Sequence, residues 1–212
     1  MTPPALAIHL FGPLRLDAAG LPLPASGRRE VDRLLAVLLV LGEPVPRAVL
    51  AGRLWPEEEP QRARVRLRQA LHYLRHHLPP EGAEPWLRVA DDVLGWNPAA
   101  EAWCDLHAYR RAAAAPLQAL REGAPLDARA VERLGGLATA PLLEGMDEPW
   151  VVAERERVVA EVGALRERLA EQRLAVDDPA GALREALAVL DADPSREGAW
   201  RLAIRARLAQ GE

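Results

Sequence analysis

The chain has 212 residues, half of them hydrophobic and 27% charged, with a net charge of −4. This composition is typical of a soluble globular protein with one large or two modest domains. No apolar run is long enough to cross a membrane, and the N-terminus lacks a signal-peptide pattern. The single cysteine, Cys104, excludes an intramolecular disulfide and a cysteine-rich zinc site. We therefore expect a cytoplasmic protein.

Charge is unevenly distributed along the chain. Residues 1–100 contain 12 arginines and 11 acidic residues, a net charge of +1, whereas residues 101–212 contain 15 and 20, a net charge of −5. The overall negative charge argues weakly against nucleic acid as a partner. The N-terminal half nevertheless leaves room for a locally basic surface.

The first elements in chain order are short strands followed by two helices. Gly12-Pro13 and residues 17–20 are turn signals, and apolar or alternating residues lie between them. Further on, apolar residues recur with helical spacing. The pattern predicts strands within residues 5–11, 14–17 and 21–23, a helix over 28–41 that Gly42 ends, and a helix over 46–54.

The next helix, over residues 60–78, carries the strongest functional signal. It contains five arginines and three histidines but no acidic residue. Leu67, Leu71, Leu74 and Leu78 recur at the spacing of one helix face, so we expect them to pack in the core. Solvated helix faces usually mix charges of both signs, so an acid-free cationic face favours contact with DNA over a plain surface role.

Residues 86–89 and 93–96 predict a hairpin around Asp91 and Asp92. Strands, two helices, a basic helix and a hairpin follow one another in the order of a winged helix-turn-helix. We therefore predict such a domain, with small antiparallel sheets, over residues 1–98. The basic helix would enter the major groove and the hairpin would be the wing, whose acidic tip argues against strong wing contacts.

The remainder, residues 103–212, is predicted to be all-helical. Helical patterns cover residues 106–120, 127–137, 150–176, 179–190 and 196–209. Small residues such as Ala182 and Ala186 predict close packing of a tetratricopeptide-like helix pair. Since the last helix has no following partner, we expect this domain to be incomplete at its C-terminal end.

Several motifs resemble those of one family, the antibiotic-regulatory-type (SARP-like) bacterial transcriptional activators. They occur in the family's order along nearly the whole chain, which makes the resemblance more specific than any single motif. The motifs are LFGPL at 10–14, LWPEEEP at 54–60, LRQAL at 67–71, LGWNP at 94–98, WCDL at 103–106 and GMDEPWV at 145–151.

The resemblance implies an OmpR-like winged helix joined to a helical bacterial transcriptional activator domain. It also implies binding to promoter repeats and activation through RNA polymerase. With the basic helix, it leads us to predict a sequence-specific DNA-binding transcriptional activator that is not an enzyme and needs no cofactor. Its partners would be duplex DNA and RNA polymerase or another protein, with self-association left open and no membrane contact.

Candidate DNA-contacting residues follow from their places on the helices. The face opposite the leucines would present side chains to base edges, because arginine pairs with guanine and glutamine with adenine. This base-edge set is Arg62, Arg66, Gln69, Tyr73 and His76, with Val65 placed to meet a thymine methyl group. Arg64, Arg68 and Arg75 are expected nearer the core boundary, touching phosphate or bracing the domain. Arg28, Arg29 and Arg47 begin the first two helices and are as easily surface residues as phosphate contacts. His72 and Arg88 complete the DNA-binding set.

Other interpretations of the same residues are weaker. His72 and His76 are four residues apart, but without a third ligand they make a metal site a minority interpretation. Cys104 is expected to be a buried structural thiol. The six tryptophans are expected to anchor cores. The main alternative function is a protein-interaction or autoinhibitory module with no DNA binding of its own.

Overall fold

The computed structural model describes residues 4–79, 86–90 and 92–211. The chain divides into two compact units, Met1–His107 and Ala108–Glu212. The predicted mainly α fold, with small sheets in the N-terminal part and helices beyond it, is confirmed. None of the described helices is long and apolar enough to cross a membrane.

The N-terminal unit combines two small sheets with three helices. In chain order its elements are β1 (Leu6–His9), β2 (Arg15–Ala18), β3 (Leu21–Pro22), α1 (Arg29–Leu41), β4 (Val45–Pro46), α2 (Arg47–Leu54), α3 (Pro60–His77), β5 (Leu87–Ala90), β6 (Val93–Trp96) and β7 (Ala102–Cys104). One sheet has the order β3-β2-β1-β7 and the other the order β4-β6-β5.

Strand β7 corrects the expectation that the chain is helical from residue 103 onward. It pairs in parallel with β1, with Ile8 opposite Cys104. Three residues are too few to give an alternating pattern, so only the pairing with β1 defines the strand. Cys104 is buried in this sheet, as predicted.

Asp105, the residue after β7, ties the end of this sheet to the chain after β1. It is buried, and its carboxylate accepts hydrogen bonds from the backbone N–H groups of Leu10, Phe11 and Leu106 at 2.7–3.0 Å. These donors offset the cost of burying the charge.

Helix α1 forms the centre of the N-terminal core. Its Leu34, Leu35, Leu38 and Leu39 are almost completely buried, and burial of each leucine stabilises the fold by about 2 kcal/mol. Gly42 ends the helix in the left-handed conformation, with φ of 73°, which a residue without a Cβ adopts at little cost.

The predicted hairpin is present as β5 and β6, and a third short strand joins it. β4 pairs with β6, placing Val45 opposite Leu94. Pro46 was expected in the first turn of the second helix, but it lies in β4, and α2 begins at Arg47. Of the two predicted tip residues, Asp91 lies outside the described residues.

The C-terminal unit is helical, with bounds that agree with the predicted ones to within about two residues. Its helices are α4 (Asp105–Arg121, which begins in the N-terminal unit), α5 (Ala128–Leu137), α6 (Pro149–Ala175), α7 (Pro179–Ala192) and α8 (Glu197–Gln210). Asp127 caps α5 as predicted, since its side chain accepts a hydrogen bond from the N–H of Arg129.

Small side chains let the last helices of this unit pack closely. Ala170 of α6, Ala182 and Ala186 of α7, and Ala199 and Ala203 of α8 lie in one buried cluster. Ion pairs surround it, with Arg166 2.8 Å from Glu185 and Arg196 2.8 Å from Glu167.

The expectation that tryptophans anchor cores holds for some of them. Trp55, Trp86 and Trp96 are buried in the N-terminal unit. Trp200 is 51% exposed on α8, with its ring N–H donating to the carbonyl oxygen of Pro194 at 2.9 Å. The core expectation is therefore wrong for Trp200, because the buried side of α8 is filled by alanine and leucine instead.

Candidate nucleic-acid interface

Helix α3 is anchored by the leucine face that its sequence predicts. Leu67, Leu71, Leu74 and Leu78 are at most 5% exposed. The helix packs against α1 and α2, which places α2 and α3 as the two helices of the helix-turn-helix. Residues 55–59 form the turn between them.

The opposite side of α3 is exposed along its whole length. Hydrogen-bond-donating and apolar side chains from four turns of the helix lie next to one another on this outer surface. The exposed members of the predicted set are Arg62, Arg64, Val65, Arg68, Gln69, His72, Tyr73, Arg75 and His76.

The arginines of α3 that were expected near the core boundary are not the ones that lie there. Arg64, Arg68 and Arg75 were expected nearer the core boundary, but all three are exposed. The prediction assumed that distance from the leucine stripe sets exposure. Neighbouring elements cover α3 unevenly, so exposure depends on what packs beside each turn.

Arg66 is the arginine that braces the domain. Its guanidinium bonds the carboxylates of Glu30, on α1, and Glu58, in the turn before α3. It also lies over the ring of Trp55, with its Cζ 5.2 Å from the ring centroid. The hydrogen bond to Glu30 is the largest of the causes that raise the pKa of Arg66. The side chain therefore links α1, α3 and the turn before α3.

Arg28 and Tyr73 form a second link between α1 and α3. The Arg28 guanidinium lies 3.8 Å from the centroid of the Tyr73 ring, a cation–π contact between two exposed side chains. Arg29, one residue further on, is exposed at the first turn of α1.

The two histidines on α3 interact with each other and with their own helix. The rings of His72 and His76 have centroids 4.3 Å apart, and Nδ1 of His76 lies 2.8 Å from the carbonyl oxygen of His72. In the part of the chain that the structure describes, no third histidine, cysteine or carboxylate joins them as a metal ligand.

A surface groove of about 630 Å³ runs beside α3 at its N-terminal half. It brings residues from three elements together, so that cationic, amide and apolar groups share one concave surface. The lining residues are Arg47, Gln61, Arg64, Val65, Leu67, Arg68 and Asp92.

The remaining predicted residues lie on α2 and the wing. Arg47 begins α2 and is half-buried, and its Nε is buried without a hydrogen-bond partner among the described residues. Arg88 is exposed on β5. The groove is thus lined by Arg47 of α2 together with Arg64 and Arg68 of α3.

The family model of the bacterial transcriptional activator domain matches residues 104–212, more than half of the chain. The chain belongs to this family of bacterial transcriptional activators. The family is one of transcriptional regulators rather than of enzymes. The predicted resemblance to SARP-like activators is thereby confirmed.

A solved structure similar to this family member supports the assignment. Mycobacterium tuberculosis EmbR, in complex with a low-affinity phosphopeptide, is 25% identical in sequence and superposes with a TM-score of 0.73. The similarity covers 99% of this chain and 56% of the EmbR chain, so this chain spans a little over half of the EmbR chain's length. No curated protein matches the chain.

The sequence pattern of α3 does not reveal which acidic residues the fold brings close to it. Glu30 and Asp92 lie 36 residues before and 26 residues after Arg66 in the sequence, outside the acid-free segment. No periodicity joins positions so far apart. Glu58 lies just before α3, where the helix dipole favours an acidic residue, so its sequence position alone does not indicate a bond to Arg66.

Proposed function

We propose that this protein is a sequence-specific DNA-binding transcriptional activator that reads duplex DNA with the outer surface of α3. The winged helix-turn-helix, residues 1–98, is the DNA-binding domain, and residues 103–212 mediate protein contacts in a cytoplasmic regulator. The observation that carries the proposal is the outward display of Arg62, Arg64 and Arg68 on a helix fixed by buried leucines. None of the three forms an ion pair within the described residues.

The outer surface of α3 offers both kinds of contact that specific binding requires. Exposed arginine and glutamine side chains match the acceptor and donor patterns of guanine and adenine in the major groove. Val65, 43% exposed, adds an apolar tip for a thymine methyl group. Arg47 and Arg88, on α2 and the wing, are placed to bind phosphate and fix the orientation of the domain.

Arg66 has a different role in this proposal from the one its sequence position indicates. Glu30 and Glu58 occupy its guanidinium, so it positions α3 instead of pairing with a base. Base contact then rests on Arg62 and Gln69, and Arg64 and Arg68 are placed to bind phosphate.

Selection of bound duplexes from a random-sequence pool tests the proposal directly. We expect recovery of a repeated motif, as binding to promoter repeats requires, and a fluorescence anisotropy titration should give tighter binding to that motif than to the starting pool. Arg129→Ala, which removes an exposed arginine of α5, is the matched control and should leave the affinity unchanged. Recovery of no motif would contradict sequence-specific binding.

The helical unit is proposed to contact RNA polymerase or another protein, with self-association as a second form of protein contact. Membership of the bacterial transcriptional activator domain family supports this part of the proposal. Sedimentation velocity with and without purified RNA polymerase measures both contacts. A sedimentation coefficient that stays that of the free monomer in both conditions would contradict it.

A protein-interaction or autoinhibitory module is the second candidate function. The observation that favours it is the presence of acids at the basic surface, with Glu30 and Glu58 on Arg66 and Asp92 in the groove. A gel shift on genomic fragments at low salt distinguishes the two functions. No shift at micromolar protein concentration would favour the second one.

A further inference from the structure

Asp92 is an acidic residue in a groove that is otherwise suited to bind phosphate. It lines the groove beside α3 together with Arg47, Arg64 and Arg68. The sequence alone places it at the tip of a hairpin, far from the arginines. The fold instead places Asp92 in the lining of one groove with three arginines.

The backbone holds Asp92 at this position. The N–H of Arg47 donates a hydrogen bond to the carbonyl oxygen of Asp92 at 2.7 Å. The next residue, Val93, pairs with Pro46 in the sheet formed by β4 and β6. Asp92 is thus tied to the start of α2, which also supplies Arg47 to the groove.

The carboxylate of Asp92 is not held in a direct ion pair by these arginines. Asp92 is exposed, and within the described residues it forms no ion pair. Exposed charges closer together than the Debye length, about 10 Å at 0.1 M salt, are only partly screened. A phosphate that enters the groove therefore meets repulsion from Asp92 as well as attraction from the three arginines.

We propose that Asp92 is a specificity-determining residue that lowers affinity for arbitrary duplex DNA. This inference rests on the proposed DNA-binding function. A phosphate carries the same charge at every sequence, so the repulsion acts on any duplex that places its backbone in the groove. The exocyclic amino group of a cytosine presented there donates a hydrogen bond to a carboxylate, so a matching site offsets the repulsion.

The test compares Asp92→Asn with the wild-type chain on a random-sequence 30-bp duplex pool at 50, 100 and 200 mM NaCl. We expect Asp92→Asn to bind the pool about three- to tenfold more tightly at the lowest salt, the order expected for one charge at this range. The gain should shrink at higher salt. Asp92→Ser, which also removes the charge, should act in the same direction.

Glu132→Gln is the matched control, since it makes the same change in net charge at an exposed position on α5. Its affinity for the pool should stay within about twofold of wild type, because screening weakens distant charges. Equal affinities of Asp92→Asn and Glu132→Gln would overturn the role of Asp92 and leave DNA binding intact. Absence of binding by every variant and by the wild type would overturn DNA binding itself, and the role of Asp92 with it.

Discussion

At the scale of single residues, the candidate interface depends on which arginines already form ion pairs within the protein. Arg62 and Arg64 are exposed, whereas Arg66, two residues after Arg64 on the same helix, is held by two carboxylates. A guanidinium presents five donors in a fixed plane, so one side chain can bridge Glu30 and Glu58 at once. The same residue type is therefore exposed and available at some positions and bonded within the protein at another.

Replacement of Arg66 by alanine should lower the free energy of unfolding by about 1 kcal/mol, because exposed ion pairs contribute little each and two carboxylates lose their partner. DNA affinity should fall alike for all sequences, since α3 is less well positioned. Urea unfolding and anisotropy on two unrelated duplexes measure the two effects. Arg62→Ala is the comparison, and it should weaken DNA binding without changing stability. Loss of preference at one base position by Arg66→Ala, at unchanged stability, would show that Arg66 reads a base.

At the scale of elements, backbone contacts between the wing and the chain before α2 set the wing's position. Gly95 of β6 faces Pro44, and a Cβ at residue 95 would lie 2.6 Å from the Pro44 Cα. β4, directly after Pro44, pairs with β6. A side chain at Gly95 would therefore push the wing away from the groove that it helps to form.

Gly95→Ala should lower the free energy of unfolding by about 1–3 kcal/mol, the cost of overpacking against backbone. It should also weaken DNA binding. Gly52→Ala is the matched control, since nothing lies within 4 Å of its added Cβ in α2. That substitution should raise the stability by about 0.5–1 kcal/mol, because alanine favours the helical state over glycine. Chemical denaturation of both variants checks this, and equal stabilities would contradict the close approach to Pro44.

The junction of α4 with α6 depends on a charged cluster. Glu154 bonds Arg157 on its own helix and Arg110 on α4, the latter at 2.6 Å. Burial of Glu154 disfavours its charge, but the hydrogen bonds from Arg157 and Arg110 outweigh it and hold the pKa of Glu154 below its usual 4.5. The ionised form is therefore favoured by folding.

A carboxylate with a depressed pKa stabilises the folded state above its unfolded pKa, and this contribution is lost as pH falls through the folded value. The difference in thermal midpoint between wild type and Glu154→Gln should therefore be full at pH 7 and should shrink below about pH 4.5. Glu156→Gln, at an exposed position on the same helix, should show no such pH dependence. A difference that persists unchanged to pH 3 would rule out the cluster as its source.

At the scale of the whole molecule, a net charge of −4 coexists with a cationic surface. The acidic residues are concentrated in the C-terminal half, and α3 carries no acid of its own. Association with DNA is governed by the local surface that meets the phosphates, since salt screens charges further away. The overall charge therefore does not oppose binding through α3.

Binding to a random duplex should weaken steeply with salt. Each phosphate contact contributes about 0.9 to the slope of log affinity against log salt. Arg64→Ala and Arg68→Ala should each reduce that slope by roughly one, whereas Arg129→Ala on α5 should not change it. Anisotropy titrations between 50 and 300 mM NaCl give the slopes. Identical slopes for all four proteins would exclude the groove arginines from phosphate contact.

Most elements of the fold could be predicted from the sequence, because their signals are local. The leucine spacing of α3, Gly42 at the end of α1 and the cap at Asp127 depend only on residues within a turn or two. The strands β4 and β7 could not be predicted in this way. Each has two or three residues and exists because a distant strand supplies its hydrogen bonds.

The chemical character of the candidate interface can be read from the amino-acid sequence, because leucine lies on one side of α3 and arginine on the other. Which arginines are available depends on the fold, because Glu30 and Glu58 meet Arg66 across packed elements. The fold also places Asp92 in the groove. The spacing of residues along a helix predicts which side chains share one of its faces. Ion pairs between segments that are distant in sequence depend instead on how those segments pack in the folded protein.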